Sequence, residues 1–520
     1  MNCLTAENPH ALALVSVDRK WTRRDIAAQV ALAASALRTL GVEKGDRVTF
    51  MRRNVSTHFV LFLACSRLGA VFVPLNFRLS PVEARDIVAD CGARVAVFGP
   101  EEANNMDRWG VTLVATKGVV DDLENPVSGV DPHWMRFSRV DPSGPVAPEP
   151  GTSTSLAMLQ YTSGSSGRAK GVCQTLGNIH ASWNNFTAAF QPSAFQTTLA
   201  FAPFAHVGGF HSLTLQTFLS GGVVVLQRQF DVGRALMLIE REHVTSVFGV
   251  PSMYDAMSRH PAFPTTDLSS LEVALVGGAS ASQELLTRFK DRGVPMYHAW
   301  GMTETLGLST VLDPRDFPMH PTSVGKECEE TRVRIALPDG SEAPTGTVGE
   351  IMVHGKNVAP CYWGNIEANK DFAPDGWLHT GDLASKDAEG FIELRGRRKD
   401  LIISGGENIY PAEIERVLGT ATWVKDVCVV GLENRRWGES PLAVIVPAPG
   451  APKPTVEDVR QFLDGRLAHY KLPRYVEVLD QLPLNSSGKV DRKGIREAVA
   501  ILHSPGLPWF PHYDDVAGAK

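Results

Sequence analysis

Apolar and polar positions change period repeatedly along the first hundred residues. Thr22 can cap a helix running from about Arg23 to Leu40, with Gly41 suited to its C-terminal end. Arg47 to Met51 reads as a strand, Ser56 to Leu68 as a helix, Ala70 to Pro74 as a strand, Pro81 to Cys91 as a helix and Ala93 to Phe98 as a strand. Strands alternating with helices predict βαβ units and a mostly parallel sheet. Ser138 to Ser155, rich in Pro, Gly and Ser, predicts a loop or subdomain junction. A second alternating block follows, with apolar strands near Gly222–Leu226, Ser246–Gly249 and Val273–Val276. Further on, Pro447 to Pro454 reads as a surface loop before a helix that Thr455 can cap. No internal repeat or coiled coil is visible.

The chain has 520 residues, too many for one core, so two or more domains are expected. A net charge of -6 gives no field that would draw nucleic acid, so an anionic substrate must be held locally. The seven cysteines are scattered without a C-x-x-C pair, which argues against a disulfide framework and a structural zinc site. The N-terminus lacks the basic start and apolar run of a signal peptide. The apolar run Phe59 to Cys65 is too short to cross a bilayer and reads as a core helix. The expectation is a cytoplasmic enzyme without an integral membrane segment, either monomer or homodimer.

Tyr161 to Val172, YTSGSSGRAKGV, carries the strongest local signal. Glycines let backbone N–H groups turn toward an anion, hydroxyls donate further bonds, and Lys170 supplies a compact positive charge, as a triphosphate requires. It matches neither a Walker A loop nor a G-x-S-x-G nucleophile elbow, which disfavours a serine hydrolase. A flexible Ser/Gly linker is the plain alternative. In YHAWGMTET, Tyr297 to Thr305, Trp300 offers a flat face to a purine, Thr303 a donor to phosphate, and Glu304 an oxygen ligand for Mg²⁺. A strand end with an exposed Trp and Glu would read the same way. GWLHTGDL places Asp382 after a tight Thr-Gly turn, where a carboxylate can grip two ribose hydroxyls, though turns often hold an ordinary Asp.

Phe391 to Glu415 begins as a strand and meets a basic cluster at Arg395, Arg397, Arg398 and Lys399. An apolar strand, a Gly-Gly turn and a helix opened by Pro411 and closed near Gly419 follow. Such a charge run is usually a solvated face; here it lies between two blocks of different character, where a hinge belongs. LPLNSSGKVDRK puts Lys489 after a small turn.

In this order and spacing, these segments resemble the acyl-adenylate-forming superfamily, which comprises acyl- and aryl-CoA synthetases, adenylation domains of peptide synthetases and firefly luciferase. The resemblance runs from the WTRRDIAAQ helix to Lys493. It implies an α/β fold with a large N-terminal domain of mixed and parallel sheets flanked by helices, residues 1–398, and a small mobile α+β C-terminal domain, residues 399–520. It implies that Thr162, Ser163, Gly164, Ser165, Ser166, Gly167 and Lys170 hold the β- and γ-phosphates. Gly278, Ala279, Ala299, Trp300, Gly301, Met302 and Thr303 complete the nucleotide site, Trp300 against adenine and Thr303 at phosphate. Glu304 holds the metal, Asp382 and Arg397 the ribose, and Lys399 is the hinge. Lys489 is the catalytic lysine, bridging substrate carboxylate and α-phosphate. Gly405, Gly406 and Glu407 line the pantetheine path.

Two further segments match. FAPFAHVGGFH brings His206 to the position of the family's usual His and, with Ala205, Val207, Gly208 and Gly209, lies on the acyl side. LVGGASAS makes Gly277 part of the wall between nucleotide and acyl group. Three positions depart from the family pattern: Ala169 replaces a usual Pro, Ala205 a usual bulky aromatic and Cys361 a usual Gly.

The resemblance implies an ATP-dependent acid–CoA ligase using ATP, Mg²⁺ and coenzyme A, with an acyl-adenylate intermediate and domain alternation. Small residues at 205, 208, 209, 277 and 278 point to a roomy apolar pocket, hence a hydrophobic acid: a medium or long fatty acid or a bulky ring-bearing one, with an aryl acid such as a cinnamate as the alternative. Other readings are transfer to a carrier protein's phosphopantetheine, a nucleotide-binding protein without catalysis, and an oxidative luciferase-like use.

Overall fold

The computed structural model describes residues 8–16, 19–108, 113, 116–121, 135–142, 144–162, 169–279, 281–404, 407–434, 438–464, 466–467, 469–485 and 488–502. Two compact units emerge. The first comprises Met1–Arg334, Met352–His379 and Glu389–Ile392, and the second Ile335–Ile351, Thr380–Ala388 and Glu393–Lys520. The strands Thr331–Ala336, Gly349–Gly355, Leu378–Lys386 and Ile392–Arg397 each contain a point where the chain passes between units. Arg398 and Lys399 lie in the last stretch of the second unit, shortly after it begins at Glu393.

In the first unit, a nine-stranded sheet has the order Lys326–Glu327, Thr310–Leu312, Met296–Trp300, Val273–Val276, Ser246–Gly249, Thr197–Ala200, Val223–Leu226, Leu12–Val15, Lys20–Thr22. Its centre is parallel and its margins antiparallel. A seven-stranded sheet has the order Met135–Arg136, Lys117–Val120, Val95–Phe98, Arg47–Met51, Val71–Leu75, Leu156–Thr162, Lys170–Thr175. It is parallel except for the last pair. The mostly parallel, α/β character expected from the alternating pattern is therefore present.

Local signals account for the element ends. Helix Arg23–Thr39 starts at a capping box: Thr22 accepts from the Asp25 N–H, and the Asp25 carboxylate accepts from the Thr22 N–H. Ile26, Val30, Ala33, Ala34 and Leu37 form its buried stripe. Arg23 is also buried, and its guanidinium donates to Phe218 O (2.9 Å) and Gly222 O (2.7 Å) at the end of helix Leu213–Leu219. At the helix end Phe218 O otherwise accepts a long bond from the Gly221 N–H (3.3 Å), so a buried cation is satisfied where a helix end takes a further donor. Helix Thr57–Leu68 is buried over most of its surface, as expected of a core helix.

In the second unit, a five-stranded sheet carries Glu407–Ile409, Ile402–Ser404, Gly438–Pro447 and Val424–Asn434 in order, with Tyr475–Val478 parallel to Gly438–Pro447. Helices Pro411–Leu418 and Val456–Leu463 pack on one core with Ile414, Leu418, Val459 and Leu463. Thr455 caps the second helix through a capping box with Asp458.

Candidate active site

The segment expected to bind phosphate is described only at its ends. Ser163, Gly164, Ser165, Ser166 and Gly167 lie outside the described residues; Thr162 ends one strand and Lys170 begins its antiparallel partner, paired with each other in register. The half-buried Lys170 ammonium stands 4.8 Å from the Tyr362 ring centroid and 3.7 Å from Asp371 Oδ2. Tyr362 comes from a turn that bridges to the Lys170 strand at Val172. Its hydroxyl donates to Glu304 Oε1 at 2.7 Å. Tyr362 and Glu304 are buried, 4% and 5% exposed. Desolvation, then the Glu304 charge, raises the phenol pKa well above its ordinary value, so it remains a donor. The structure thus joins Lys170 and Glu304 through a tyrosine between them.

Strand Met296–Trp300 delivers Ala299 and Trp300, both buried, and leads through the half-buried Gly301 and Met302 to a 3₁₀ turn, Thr303–Thr305. The strand end therefore carries a buried Trp and Glu rather than exposed ones. Gly301 is required by a close approach: a Cβ there would collide with the Gly307 backbone. Gln174 Nε2 donates to Thr303 O at 3.3 Å, and the Ala359 N–H donates to Glu304 O at 2.7 Å. These contacts fix the turn from two directions. A buried carboxylate with one oxygen already anchored fits a hard cation that takes one or two carboxylates and keeps substrate phosphate and water as its other ligands.

In the segment expected on the acyl side, His206 precedes a short helix, Val207–Phe210, and its Nε2 lies 3.2 Å from Asn76 Nδ2. Gln160 donates to the Ala205 carbonyl at 3.2 Å. The glycines do not act as expected. A Cβ at Gly208 would enter the Phe248 ring, and one at Gly209 would enter the Pro203 carbonyl. A Cβ at Gly277 would lie 3.1 Å from Ala299 O and 3.6 Å from Phe248. Smallness here admits close neighbours instead of leaving room, so these glycines do not measure a pocket. What they do is seat the half-buried Phe248 ring between the two motifs. Gly278 and Ala279 are exposed beside it, Gly278 at φ 80°.

The second unit gathers Asp382, Arg397 and Lys489. Arg397 Nε lies 2.9 Å from Asp382 Oδ1. The expected Thr-Gly turn before Asp382 is instead inside strand Leu378–Lys386, where Gly381 adopts φ 71°. The Thr380 hydroxyl donates to Ile351 O at 2.7 Å, the Gly381 N–H donates to Glu350 Oε1 at 2.9 Å, and the Asp382 N–H donates to Thr380 Oγ1 at 3.1 Å. The kink is thereby absorbed without ending the strand, and it aims Asp382 at Arg397. Arg398 pairs with the other Glu350 oxygen at 3.0 Å, and Lys399 is exposed in the 3₁₀ turn Arg398–Asp400.

Lys489 leaves a turn closed by Asn485, whose N–H donates to Lys489 O (2.8 Å) and whose side chain accepts from the Lys489 N–H (3.1 Å). Desolvation and the Arg397 charge lower its pKa below the usual lysine range, and Asp382 opposes them. The side chain is exposed by surface area, so of the two lowering causes the Arg397 charge is the one that the geometry supports directly. Gly405 and Gly406 lie outside the described residues; Glu407 opens strand Glu407–Ile409.

Sequence reasoning passed over Tyr362 as a functional residue, and Asn76, Gln160 and Phe248 altogether. Tyr362 directly follows the departing position Cys361, and no linear pattern ties a hydroxyl at 362 to a carboxylate at 304.

Comparison with known proteins places this arrangement. The family model "AMP-binding enzyme" matches residues 4–363, and "AMP-binding enzyme C-terminal domain" matches 413–489. The chain is 38% identical over 493 residues to a feruloyl-CoA synthase of Amycolatopsis sp., covering 94% of this chain and 96% of that one. It is 35% identical over 501 residues to an indoleacetate–CoA ligase of Aromatoleum aromaticum, covering 95% and 96%. Among solved structures, the o-succinylbenzoate CoA synthetase of Bacillus subtilis with its acyl-adenylate intermediate superposes with a TM-score of 0.83 at 30% identity, covering 95% of this chain and 98% of that one. The same enzyme with ATP and magnesium ion gives 0.82 at 30%, with the same coverage.

The chain belongs to the AMP-binding enzyme family, that is, to the acyl-adenylate-forming superfamily. With relatives of this kind matched almost end to end, it is an AMP-forming acyl-CoA synthetase, an ATP-dependent acid–thiol ligase. Among the described residues, no helix is long and apolar enough to cross a membrane.

Proposed function

We propose that this enzyme activates a hydrophobic, ring-bearing carboxylic acid, of aryl or arylalkyl type, as its acyl-adenylate and transfers the acyl group to coenzyme A. The observation that carries the acid class is the Phe248 ring, seated against Gly208 of the substrate-side motif and Gly277 of the wall. An aromatic side chain there offers a partner for another ring. The feruloyl, indoleacetate and succinylbenzoate enzymes among the relatives support the same class.

The chemistry follows from charge. Attack of a carboxylate on the α-phosphate joins two anions, so the barrier is largely repulsion, and preorganised cations lower it. Lys170 neutralises the phosphate tail. Lys489 meets the carboxylate and α-phosphate, while Asp382 and Arg397 hold the ribose. Magnesium, when bound, neutralises phosphate charge, and Glu304 with Thr303 beside it is where this chain would hold it. His206 and Val207, with Gly277, lie along the acyl side, and Ala279 and Met302 border the nucleotide. Thioester formation follows, with the thiol arm entering past Gly405, Gly406 and Glu407, and Lys399 as the hinge between the two half-reactions.

The test is pyrophosphate release across a panel of acetate, octanoate, palmitate, phenylacetate, indoleacetate, cinnamate and ferulate, each with and without CoA. Highest kcat/KM with the ring-bearing acids, and acyl-CoA accumulating only with CoA, is the expected result. Preference for acetate or palmitate would reject the proposed acid class.

A further inference from the structure

Tyr362 touches both charged groups on which the phosphate end of the site depends, and no motif assigned it a part in the reaction. It is held rigidly. Its N–H donates to Asn369 Oδ1 at 2.6 Å, and Asn369 Nδ2 donates back to the Tyr362 carbonyl at 3.3 Å. The neighbouring Trp363 N–H donates to Gly171 O (2.7 Å), and the Cys173 N–H donates to Cys361 O (3.0 Å). These two bonds flank the Val172–Tyr362 bridge and fasten the segment to the strand that begins with Lys170. Phe372 packs edge-on to the ring at 5.3 Å. A side chain fixed at its backbone and ring has little freedom left for its hydroxyl.

We propose that Tyr362 is a positioning residue for adenylation, its hydroxyl orienting the Glu304 carboxylate and its ring seating the Lys170 ammonium. Two physical effects are combined. A phenol donating to one carboxylate oxygen fixes the orientation of the carboxylate, which is how an outer partner orients a metal-binding carboxylate. An aromatic face beneath an ammonium holds a flexible four-carbon chain in place without neutralising it as a close carboxylate would. Asp371 is 3.7 Å away and 43% exposed, a looser restraint that leaves the charge available to phosphate. A structural tyrosine here would also need a partner for its buried hydroxyl; what points further is that the partner is Glu304 and that the same ring faces the Lys170 ammonium.

The inference rests on the nucleotide reading above, and its test separates the two. ATP binding to the full chain is followed by titration calorimetry over a range of Mg²⁺ concentrations, for wild type, Tyr362→Phe and Tyr362→Leu, with no acid required. Tyr362→Phe keeps the ring and loses the hydroxyl. It is expected to raise the half-saturating Mg²⁺ about tenfold or more, the usual size of an outer-partner loss, while ATP affinity at saturating Mg²⁺ stays close to wild type. Tyr362→Leu loses both effects and is expected to weaken ATP binding even at saturating Mg²⁺. A Tyr362→Phe titration superimposable on wild type overturns the proposal. Identical behaviour of the two variants overturns the part given to the ring. If Tyr362→Leu does not fold, Tyr362→Phe decides, its integrity checked by thermal melting. A wild-type chain that binds no ATP overturns the nucleotide reading itself, and this inference with it.

Discussion

At the residue scale, the charge on Lys489 is set by neighbours that are distant in sequence. Burial and Arg397 favour the neutral amine, and Asp382 favours the ammonium. Because the bridging role needs the protonated form, single-turnover adenylation at saturating ATP should lose rate as pH rises, at a midpoint below the ordinary lysine value of about 10.4. Asp382→Asn removes the charge that raises this pKa, so the midpoint should move further down. Asp382 is also the residue proposed to hold ribose, so the position of the limb is the readout, not the height of the rate. An unmoved limb would separate Lys489 from Asp382. Lys170, Glu304, Asp382, Arg397 and Lys489 stand out as candidates in the sequence because each lies in a short segment of unusual composition. Their partners do not. Asn76 with His206, and Tyr362 with Glu304, are joined only by the fold. Gly208 and Gly209 show the converse problem: their size is legible, but what fills the space is not.

Elements with local punctuation were the readable ones. Thr22, Ser80 and Thr455 each close a capping box, and the helices after them begin where the caps imply. The apolar strands Ser246–Gly249 and Val273–Val276 stand where continuous burial predicts them. The HTGD segment misled because a positive-φ glycine usually means a turn, and only cross-strand pairing decides otherwise. Short pieces such as Met135–Arg136 and Val207–Phe210 carry no periodicity and depend on what they pack against. The second of these yields a prediction. Gly209 has no space for a methyl group, since the carbonyls of Pro203 and Ala202 already occupy it. Gly209→Ala should therefore cost about 1–3 kcal/mol through overpacking, read as a lower denaturant midpoint with an unchanged slope. Displacing the His206 helix should also raise KM for the acid more than KM for ATP. A variant as stable as wild type would show that the loop from Ala202 to Gly209 yields.

Across the whole molecule, the groups proposed for the reaction are divided between the two compact units. Lys170, Trp300, Thr303 and Glu304 belong to the first, and Asp382, Arg397 and Lys489 to the second. A reaction with two chemically different halves can use such a division if one unit presents Lys489 for the first step and withdraws it for the second. We place the proposed backbone change in the stretch that begins the second unit's long C-terminal portion. Gly396 at φ 130°, with open space around it, and the exposed Lys399 three residues on are suited to rotation. Proline at 399 would fix φ near -65° and restrict the residue before it. Lys399→Pro should thus slow one half-reaction by a factor of ten or more while sparing the other, about 1.4 kcal/mol on a single barrier. Pyrophosphate release without CoA measures the first half, and conversion of supplied acyl-adenylate to thioester measures the second. Lys489→Ala provides the reference, because it should abolish adenylation and leave thioester formation from supplied adenylate running. If Lys399→Pro slows both halves equally, or neither, the switch lies elsewhere in the chain; if Lys489→Ala loses both, the two units do not divide the work.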